Sequence, residues 1–151
     1  MAGRHTIAAT SLTVLAAWGA RLWAEWRLDY GEPVPVFGHL LRLTRADNAG
    51  VAFGLLGGSP LVPWLAVVAM ALFALGFAHF LLESSAGGAA LGLVLGGSVA
   101  NLIDRLDDGR VTDYLDVGLG SWRWPTFNLP DTAIVLGLLL ALWLLFERDA
   151  A

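Results

Sequence analysis

The chain has 151 residues, of which 57% are hydrophobic and 15% are charged, and its formal net charge is −4. A soluble domain carries about a quarter charged residues, so this chain cannot cover a water-exposed surface in the usual way. The acidic balance excludes a nucleic acid as partner. The absence of cysteine excludes disulfides, thiol catalysis and cysteine-ligated metal sites.

Four apolar segments predict an integral membrane protein. A helix that crosses a bilayer needs about 20 mainly apolar residues. The charge-free runs 51–82 and 84–103 are long enough alone, and the runs 6–20 and 132–146 become so with a flanking turn. The predicted transmembrane helices are 6–23, 60–82, 88–103 and 129–146.

Two longer polar segments, 28–57 and 104–127, separate the predicted spans. Because successive spans alternate in direction, both segments lie at the same membrane face, together with most of the acidic residues. Within the first segment, Val34–Phe37 and Leu40–Thr44 read as short strands broken by turns. The predicted fold is a single all-α membrane domain over 1–151, with a small β-rich segment between spans 1 and 2.

The end of span 3 combines small residues with polar ones. A small residue recurs at every fourth position from Gly88 to Ala100, which allows a neighbouring helix to approach closely. Asp104 continues this series beside Asn101 and Arg105, and ionisable residues at bilayer depth are functional candidates by default. A structural pairing of Asp104 with Arg105 or Asn101 is the alternative, and the sequence leaves both interpretations open.

A second acidic candidate opens span 4. Asn128 is a plausible N-cap, Pro130 fits the first helical turn, and Asp131 lies near the positive end of the helix dipole. That local role would suffice to explain all three residues. However, a charge that served only solubility would be better placed further out in the loop.

The third candidate is Asp113, which has apolar neighbours, whereas Asp107 and Asp108 read as part of a solvated turn before Gly109. An apolar pocket raises the pKa of a carboxyl group, and a second carboxylate nearby raises it further. Two aspartates that share one proton can hydrolyse a peptide at neutral pH. One draws a proton from water while the other donates to the scissile carbonyl.

Four stretches of the chain follow one another at spacings typical of a known family. They are Asn48–Gly54, Gly96–Arg105, Gly109–Tyr114 and Phe127–Asp131. In that order they resemble the motifs N-x-G-x-A-F, G-x-x-x-N-x-x-D-R, G-x-V-x-D-F and F-N-x-A-D of the lipoprotein signal peptidases (signal peptidase II), the membrane aspartyl proteases of bacteria. With the four spans, the resemblance covers nearly the whole chain.

The resemblance implies an endopeptidase that removes the signal peptide from diacylglyceryl-modified prolipoproteins by cutting before the lipidated cysteine. It implies that Asp113 and Asp131 are the catalytic pair, with no metal and no cofactor. The residues that it implies as substrate-binding or supporting are Asn48, Gly50, Asn101, Asp104, Arg105 and Asn128.

The resemblance also implies a location: a multi-pass protein of the bacterial cytoplasmic (inner) membrane, with its active site at the extracytoplasmic face. The expected partners are lipid-modified prolipoproteins and membrane lipids, and the expected state is a monomer. The positive-inside rule disagrees, because seven arginines lie on the polar face and two on the other. We give the motifs more weight, since long segments follow that rule poorly.

Two positions depart from the family pattern. The D-x-x-x-K motif of span 1 corresponds to Ala17–Arg21, which lacks the aspartate, and the residue before the last aspartate, usually alanine, is Pro130. Two alternatives therefore stay open. One is a catalytically impaired paralogue that binds lipopeptides. The other is a Mg-dependent lipid phosphotransferase in which Asp104, Asp113 and Asp116 hold the metal.

Overall fold

The computed structural model describes residues 1–49 and 61–149, and each predicted span corresponds to a helix there. The four helices of these ranges are α1 (Ala2–Arg27), α2 (Val62–Leu81), α3 (Ser85–Asp108) and α4 (Leu129–Asp149). The four strands are β1 (Val34–Phe37), β2 (Leu41–Asn48), β3 (Val111–Leu119) and β4 (Trp122–Arg123).

Helix α3 lies at the centre of the helical part because its small residues admit two neighbours. A Cβ atom added to Gly92 would lie 2.6 Å from the Cβ of Ala9, so α1 packs directly on this side. A Cβ added to Gly97 would lie 2.8 Å from Cγ1 of Ile134, so α4 packs on another side. Gly92 belongs to the predicted small-residue series, so the role of that series in close helix packing is confirmed on the side of α1, whereas Gly97 lies outside the series.

The outer surfaces of the helices are apolar. Ile7 and Leu12 on α1, and Leu139 and Phe146 on α4, are all exposed, which is the expected state of side chains that face lipid. Within the described ranges, the helices long and apolar enough to cross a membrane are Ala2–Arg27, Ser85–Asp108 and Leu129–Arg148. Helix α2 has 20 residues, none of which is Asp, Glu, Lys or Arg.

The strands form one antiparallel sheet in the order β1-β2-β3-β4, so the sheet is larger than predicted. The sequence predicted strands only between spans 1 and 2, but half of the sheet comes from 104–127. Strand β3 was missed because its residues are buried almost continuously along its length, which removes the alternation by which a half-exposed strand is identified.

Helix α3 also ends later than predicted. It continues to Asp108, so Asp107 and Asp108 lie in the last helical turn instead of in a solvated turn. Gly109 ends the helix in the left-handed conformation, with φ 82°, and its N–H donates to the carbonyl of Arg105. The side chain of Asp107 is held by Arg21 at 3.0 Å, which stabilises the additional turn.

Candidate active site

Strand β3 carries Asp113 into the interior at the edge of the helical part. Asp113 lies opposite Ala46 of β2 and is only 2% exposed. Because side chains alternate along a strand, its neighbours Thr112 and Tyr114 point to the other face. The Tyr114 hydroxyl accepts the backbone N–H of Leu129 at 3.0 Å, which fixes β3 against the start of α4.

The start of α4 is held by a reciprocal cap. Oδ1 of Asn128 accepts the backbone N–H of Asp131 at 2.8 Å, and Oδ2 of Asp131 accepts the backbone N–H of Asn128 at 3.3 Å. This confirms the predicted N-cap at Asn128. The cap leaves Oδ1 of Asp131 to accept from Asn101 at 2.8 Å, so the helix start and the site share one residue.

The two aspartates are linked through asparagine amides. Nδ2 of Asn128 donates to Oδ1 of Asp113 at 2.8 Å and to Oδ1 of Asn101 at 3.3 Å. Nδ2 of Asn48 donates to the other oxygen of Asp113 at 3.1 Å. We call these five side chains the amide–carboxylate cluster: Asp113, Asp131, Asn48, Asn101 and Asn128. Each of the four motifs named in the sequence thus contributes at least one side chain to this cluster.

The environment of Asp113 favours its protonated form. Burial raises the pKa of Asp113 to about 7, and the negative charge of Asp131 acts in the same direction. The hydrogen bonds from Asn48 and Asn128 and the charge of Arg105 oppose this shift without cancelling it. A carboxyl group with such a pKa can hold or release a proton at neutral pH, which is the property that acid–base catalysis requires.

Two predicted site residues lie beside the cluster. Nη1 of Arg105 donates to the backbone carbonyl of Asn101 at 3.1 Å, and its positive charge acts on Asp113. Asp104 is held by an ion pair with Nη1 of Arg21 at 2.9 Å. The structure therefore supports the structural interpretation of Asp104, although the partner is a residue of α1 instead of Arg105 or Asn101. The predicted Gly50 lies outside the described residues.

An apolar cavity of about 970 Å³ adjoins the cluster, between the sheet, α2, α3 and α4. Its polar lining includes Asn48, Asn101, Arg105 and Asp131, so it reaches the cluster directly. Aromatic side chains contribute much of the apolar wall, and they are Phe73, Trp122, Trp124 and Phe127. The cavity can therefore hold an apolar ligand beside the carboxylates.

The acids proposed as magnesium ligands have other partners. Asp104 pairs with Arg21, and Asp116 pairs with Arg42 at 2.6 Å and with Arg123 at 2.8 Å. Over residues 1–49 and 61–149, no group of three histidine, aspartate or glutamate side chains is placed to hold a metal ion. The geometry therefore gives no support to the phosphotransferase alternative.

Sequence reasoning missed the side chains behind β3. Thr112 donates to Glu25 of α1 at 3.1 Å, and Arg21 donates to the same carboxylate at 2.8 Å. Two signals were available in the sequence: the hydroxyl residues on either side of Asp113, and the acid one helical turn after Arg21. Neither signal indicates a contact between Thr112 and Glu25 until residues 111–119 are recognised as a strand.

Fold and site together define a helical membrane protein with two linked aspartates, one buried and one half-buried, at one end of its helices. The family model described as "Signal peptidase (SPase) II" matches residues 9–147. The lipoprotein signal peptidase of Syntrophus aciditrophicus is 40% identical over 114 residues, which cover 72% of this chain and 71% of that protein. That of Syntrophotalea carbinolica is 39% identical over 123 residues, which cover 77% and 76%.

The structural comparison shows the same fold. A bacterial membrane enzyme solved by the in meso method at 2.3 Å resolution superposes with a TM-score of 0.80 at 22% identity, over 95% of this chain and 88% of that one. The chain therefore belongs to the signal peptidase II family. The predicted family and enzyme class, a membrane protease, are confirmed.

Proposed function

We propose that the protein is an aspartic endopeptidase that removes the signal peptide from diacylglyceryl-modified prolipoproteins by cutting before the lipidated cysteine. Asp113 and Asp131 are its catalytic pair. The observation that carries this proposal is that the carboxyl groups of Asp113 and Asp131 bond to the same residue, Asn128. Membership of the signal peptidase II family supports the substrate class.

The chemistry follows from one proton shared by the two carboxyl groups. The ionised carboxylate takes a proton from a water molecule, whose oxygen attacks the scissile carbonyl carbon. The protonated carboxyl group donates to the carbonyl oxygen. When the C–N bond breaks, the leaving amine takes up a proton from the pair and a hydroxyl group of the tetrahedral intermediate returns one to it, so one shared proton remains. The proton belongs to the pair as a unit, because the two groups titrate together.

The supporting residues have distinct tasks in this proposal. Asn48, Asn101 and Asn128 orient the carboxyl groups, and Arg105 supplies positive charge beside them. Asp104 acts on the site indirectly, since it holds Arg21. The role of Gly50 rests on the resemblance of its motif alone. The apolar cavity takes the hydrophobic part of the signal peptide and the diacylglyceryl group.

We further propose four spans, with the site at the extracytoplasmic face of the bacterial inner membrane. Strand β2 follows α1 and pairs with β3, which follows α3, so both halves of the sheet lie at one face. Since α3 begins at the opposite face, α2 must also cross. The native chain has no cysteine, so Glu32→Cys and Ser84→Cys can each be labelled in cells with a membrane-impermeant maleimide. Labelling at 32 but not at 84 is expected, and the reverse would contradict this orientation.

The protein is proposed to act as a monomer without a metal or cofactor, because one chain supplies both carboxyl groups and every amide that holds them. Purified protein is given a diacylglyceryl-modified precursor with and without chelator, beside Asp113→Asn and Asp131→Asn. The matched control is Asp29→Asn, at an exposed residue of the same face. Cleavage that resists chelator and is lost only in the two cluster variants is expected.

Other outcomes identify the alternatives. Loss of cleavage with chelator would favour the metal-dependent reading. Binding of the precursor by the unaltered chain without turnover would favour an impaired paralogue. For the second outcome, Pro130→Ala provides a direct check, because it restores the family's usual residue before Asp131. A gain of turnover in Pro130→Ala would show that the proline impairs the site.

A further inference from the structure

We infer that Glu25 of α1 is a positioning residue for Asp113 and that it acts through Thr112. The inference rests on the proposed catalytic role of Asp113. Its starting point is the back of β3, where Thr112 precedes Asp113 and is itself buried. A residue that fixes Thr112 also fixes the backbone from which the Asp113 carboxyl group projects to the other face.

The contact that fixes Thr112 is made with one oxygen of Glu25. The Thr112 hydroxyl donates to Oε1 of Glu25 at 3.1 Å, and Nε of Arg21 donates to the same oxygen at 2.8 Å. A charged acceptor strengthens both hydrogen bonds. The Glu25 side chain therefore has a defined place, because Arg21 holds it one helical turn away.

Arg21 is in turn fixed by α3. Its Nη1 donates to Asp104 at 2.9 Å and its Nη2 donates to Asp107 at 3.0 Å. The Arg21 side chain is 13% exposed, so solvent screens these contacts less than it would at the surface. The acids of α3 thus hold Arg21, Arg21 holds Glu25, and Glu25 holds the strand that carries Asp113.

The same end of α1 is connected to the second strand that contacts Asp113. Nη1 of Arg45 in β2 donates to the backbone carbonyl of Glu25 at 3.1 Å. Strand β2 ends at Asn48, whose amide donates to Asp113. Residue 25 therefore receives hydrogen bonds from both strands that position Asp113, through its side chain and through its backbone.

This arrangement accounts for the departure of span 1 from the family pattern. Ala17 stands where the resemblance of span 1 implies an aspartate, and it is 3% exposed. It lines a cavity of about 230 Å³ together with Asp104, Thr112 and Asn128. Position 17 thus provides no carboxylate behind β3. In this chain, Glu25 provides one from two turns further along the same helix.

The test uses full-length protein and measures kcat and KM for the lipidated precursor. Thr112→Val removes the hydroxyl at nearly constant volume, and Thr112→Ser keeps it. Glu25→Ala removes the acceptor, and Glu32→Ala is the matched control at an exposed glutamate. Because small misplacements of a catalytic group are costly, we expect about a tenfold loss of kcat in Thr112→Val and Glu25→Ala at nearly unchanged KM.

Three further results are expected from the same set. Thr112→Ser stays within about twofold of the unaltered protein, since one hydroxyl replaces another. The double variant Glu25→Ala/Thr112→Val is no slower than the slower single variant, because both remove the same contact. Glu32→Ala leaves kcat unchanged. If the loss of kcat in the double variant equals the product of the two single losses, the inference is overturned.

A merely structural role would give a different result. The unfolding temperatures of Thr112→Val and Glu25→Ala would fall, while kcat per folded molecule would stay the same, and this outcome also overturns the inference. Asp113→Asn is measured in the same series. If it is inactive while these two variants keep full kcat, only the positioning role fails. If Asp113→Asn itself turns over, the proposed catalytic pair has failed.

Discussion

Two aspartates on one strand have opposite electrostatic environments. Asp113 and Asp116 of β3 are both buried, at 2% and 5% exposure. Burial and the charge of Asp131 raise the pKa of Asp113 to about 7. Burial acts upward on Asp116 too, but hydrogen bonds from Arg123 and Arg42 outweigh it and lower the pKa of Asp116.

The difference lies in the donors. Asp113 accepts from neutral amides of Asn48 and Asn128, which fix its direction but stabilise its charge only moderately. Asp116 accepts from guanidinium groups at 2.7 and 2.8 Å, which stabilise its ionised form. Neutral donors leave a carboxyl group able to exchange a proton near neutral pH, whereas cationic donors lower its pKa and so favour its ionised form. The first arrangement suits catalysis and the second suits sheet stability.

The largest effect expected from this comparison is on turnover. Asp113→Asn should reduce kcat by at least about 10²- to 10⁴-fold, because an amide cannot exchange the proton that the pair needs. Asp116→Asn should change kcat per folded molecule by less than about tenfold, since its partners are arginines outside the cluster. Single-turnover cleavage of the lipidated precursor measures both. Equal losses in the two variants would show that the two aspartates do not differ in function.

The second prediction concerns the pH dependence of stability. The pKa of Asp113 is raised from 3.8 in the unfolded chain to about 7, so between about pH 4 and pH 7 the folded state binds more protons. The contribution of Asp113 to the free energy of unfolding is therefore fully present below about pH 4. This contribution, at most about 4 kcal/mol, is lost as the pH rises to about 7.

Unfolding temperatures measured at several pH values test this sign. Asp113→Asn should remove that slope, because an amide stays neutral at every pH. The variant should consequently be more stable than the unaltered protein above pH 7 and lose this advantage towards pH 4. An unchanged slope in Asp113→Asn would show that another group causes the pH dependence.

The third prediction is a loss of stability at Asp116. Asp116→Asn leaves the charges of Arg42 and Arg123 without their carboxylate, and breaking such a buried pair costs about 3 kcal/mol. The unfolding temperature should fall. The matched comparison is Asp47→Asn, whose partner Arg110 is more exposed, and which should lower the unfolding temperature much less because solvent screens the pair. A similar loss in both variants would contradict the special role assigned to Asp116.

The sequence predicted the helices and the cap of α4 because their signals are local. Charge-free runs of sufficient length indicated the four helical segments, and the Asn128–Asp131 spacing indicated the cap that the structure contains. These features depend on residues within a few positions of each other, so hydropathy and spacing reveal them. Asn101 was expected at the site because its motif resembles that of the family, and the structure brings it to Asp131.

The features that were missed depend on contacts between distant segments. Strand β3 pairs with β2 across more than sixty residues of chain, and its continuous burial hides its period. The partner of Asp104 was sought among its sequence neighbours, whereas Arg21 comes from another helix. Long side chains such as Arg21 and Glu25 can reach several neighbours, so only the folded arrangement decides which acids they contact.

The smallest predicted effect is the change in the pKa of Asp113 when one of its neutral donors, the Asn48 amide, is removed. The hydrogen bond from Asn48 lowers the pKa of Asp113, so Asn48→Ala should raise that pKa further. A hydrogen bond to a charged group contributes about 1.5 kcal/mol, so the decline of kcat/KM above pH 7 should move upward by about one pH unit or less. Ser98→Ala, which lines the same cavity, should leave the position of the decline unchanged. A shift to lower pH in Asn48→Ala would mean that the amide stabilises the protonated carboxyl group, and neutral donors would then not act as the comparison with Asp116 requires.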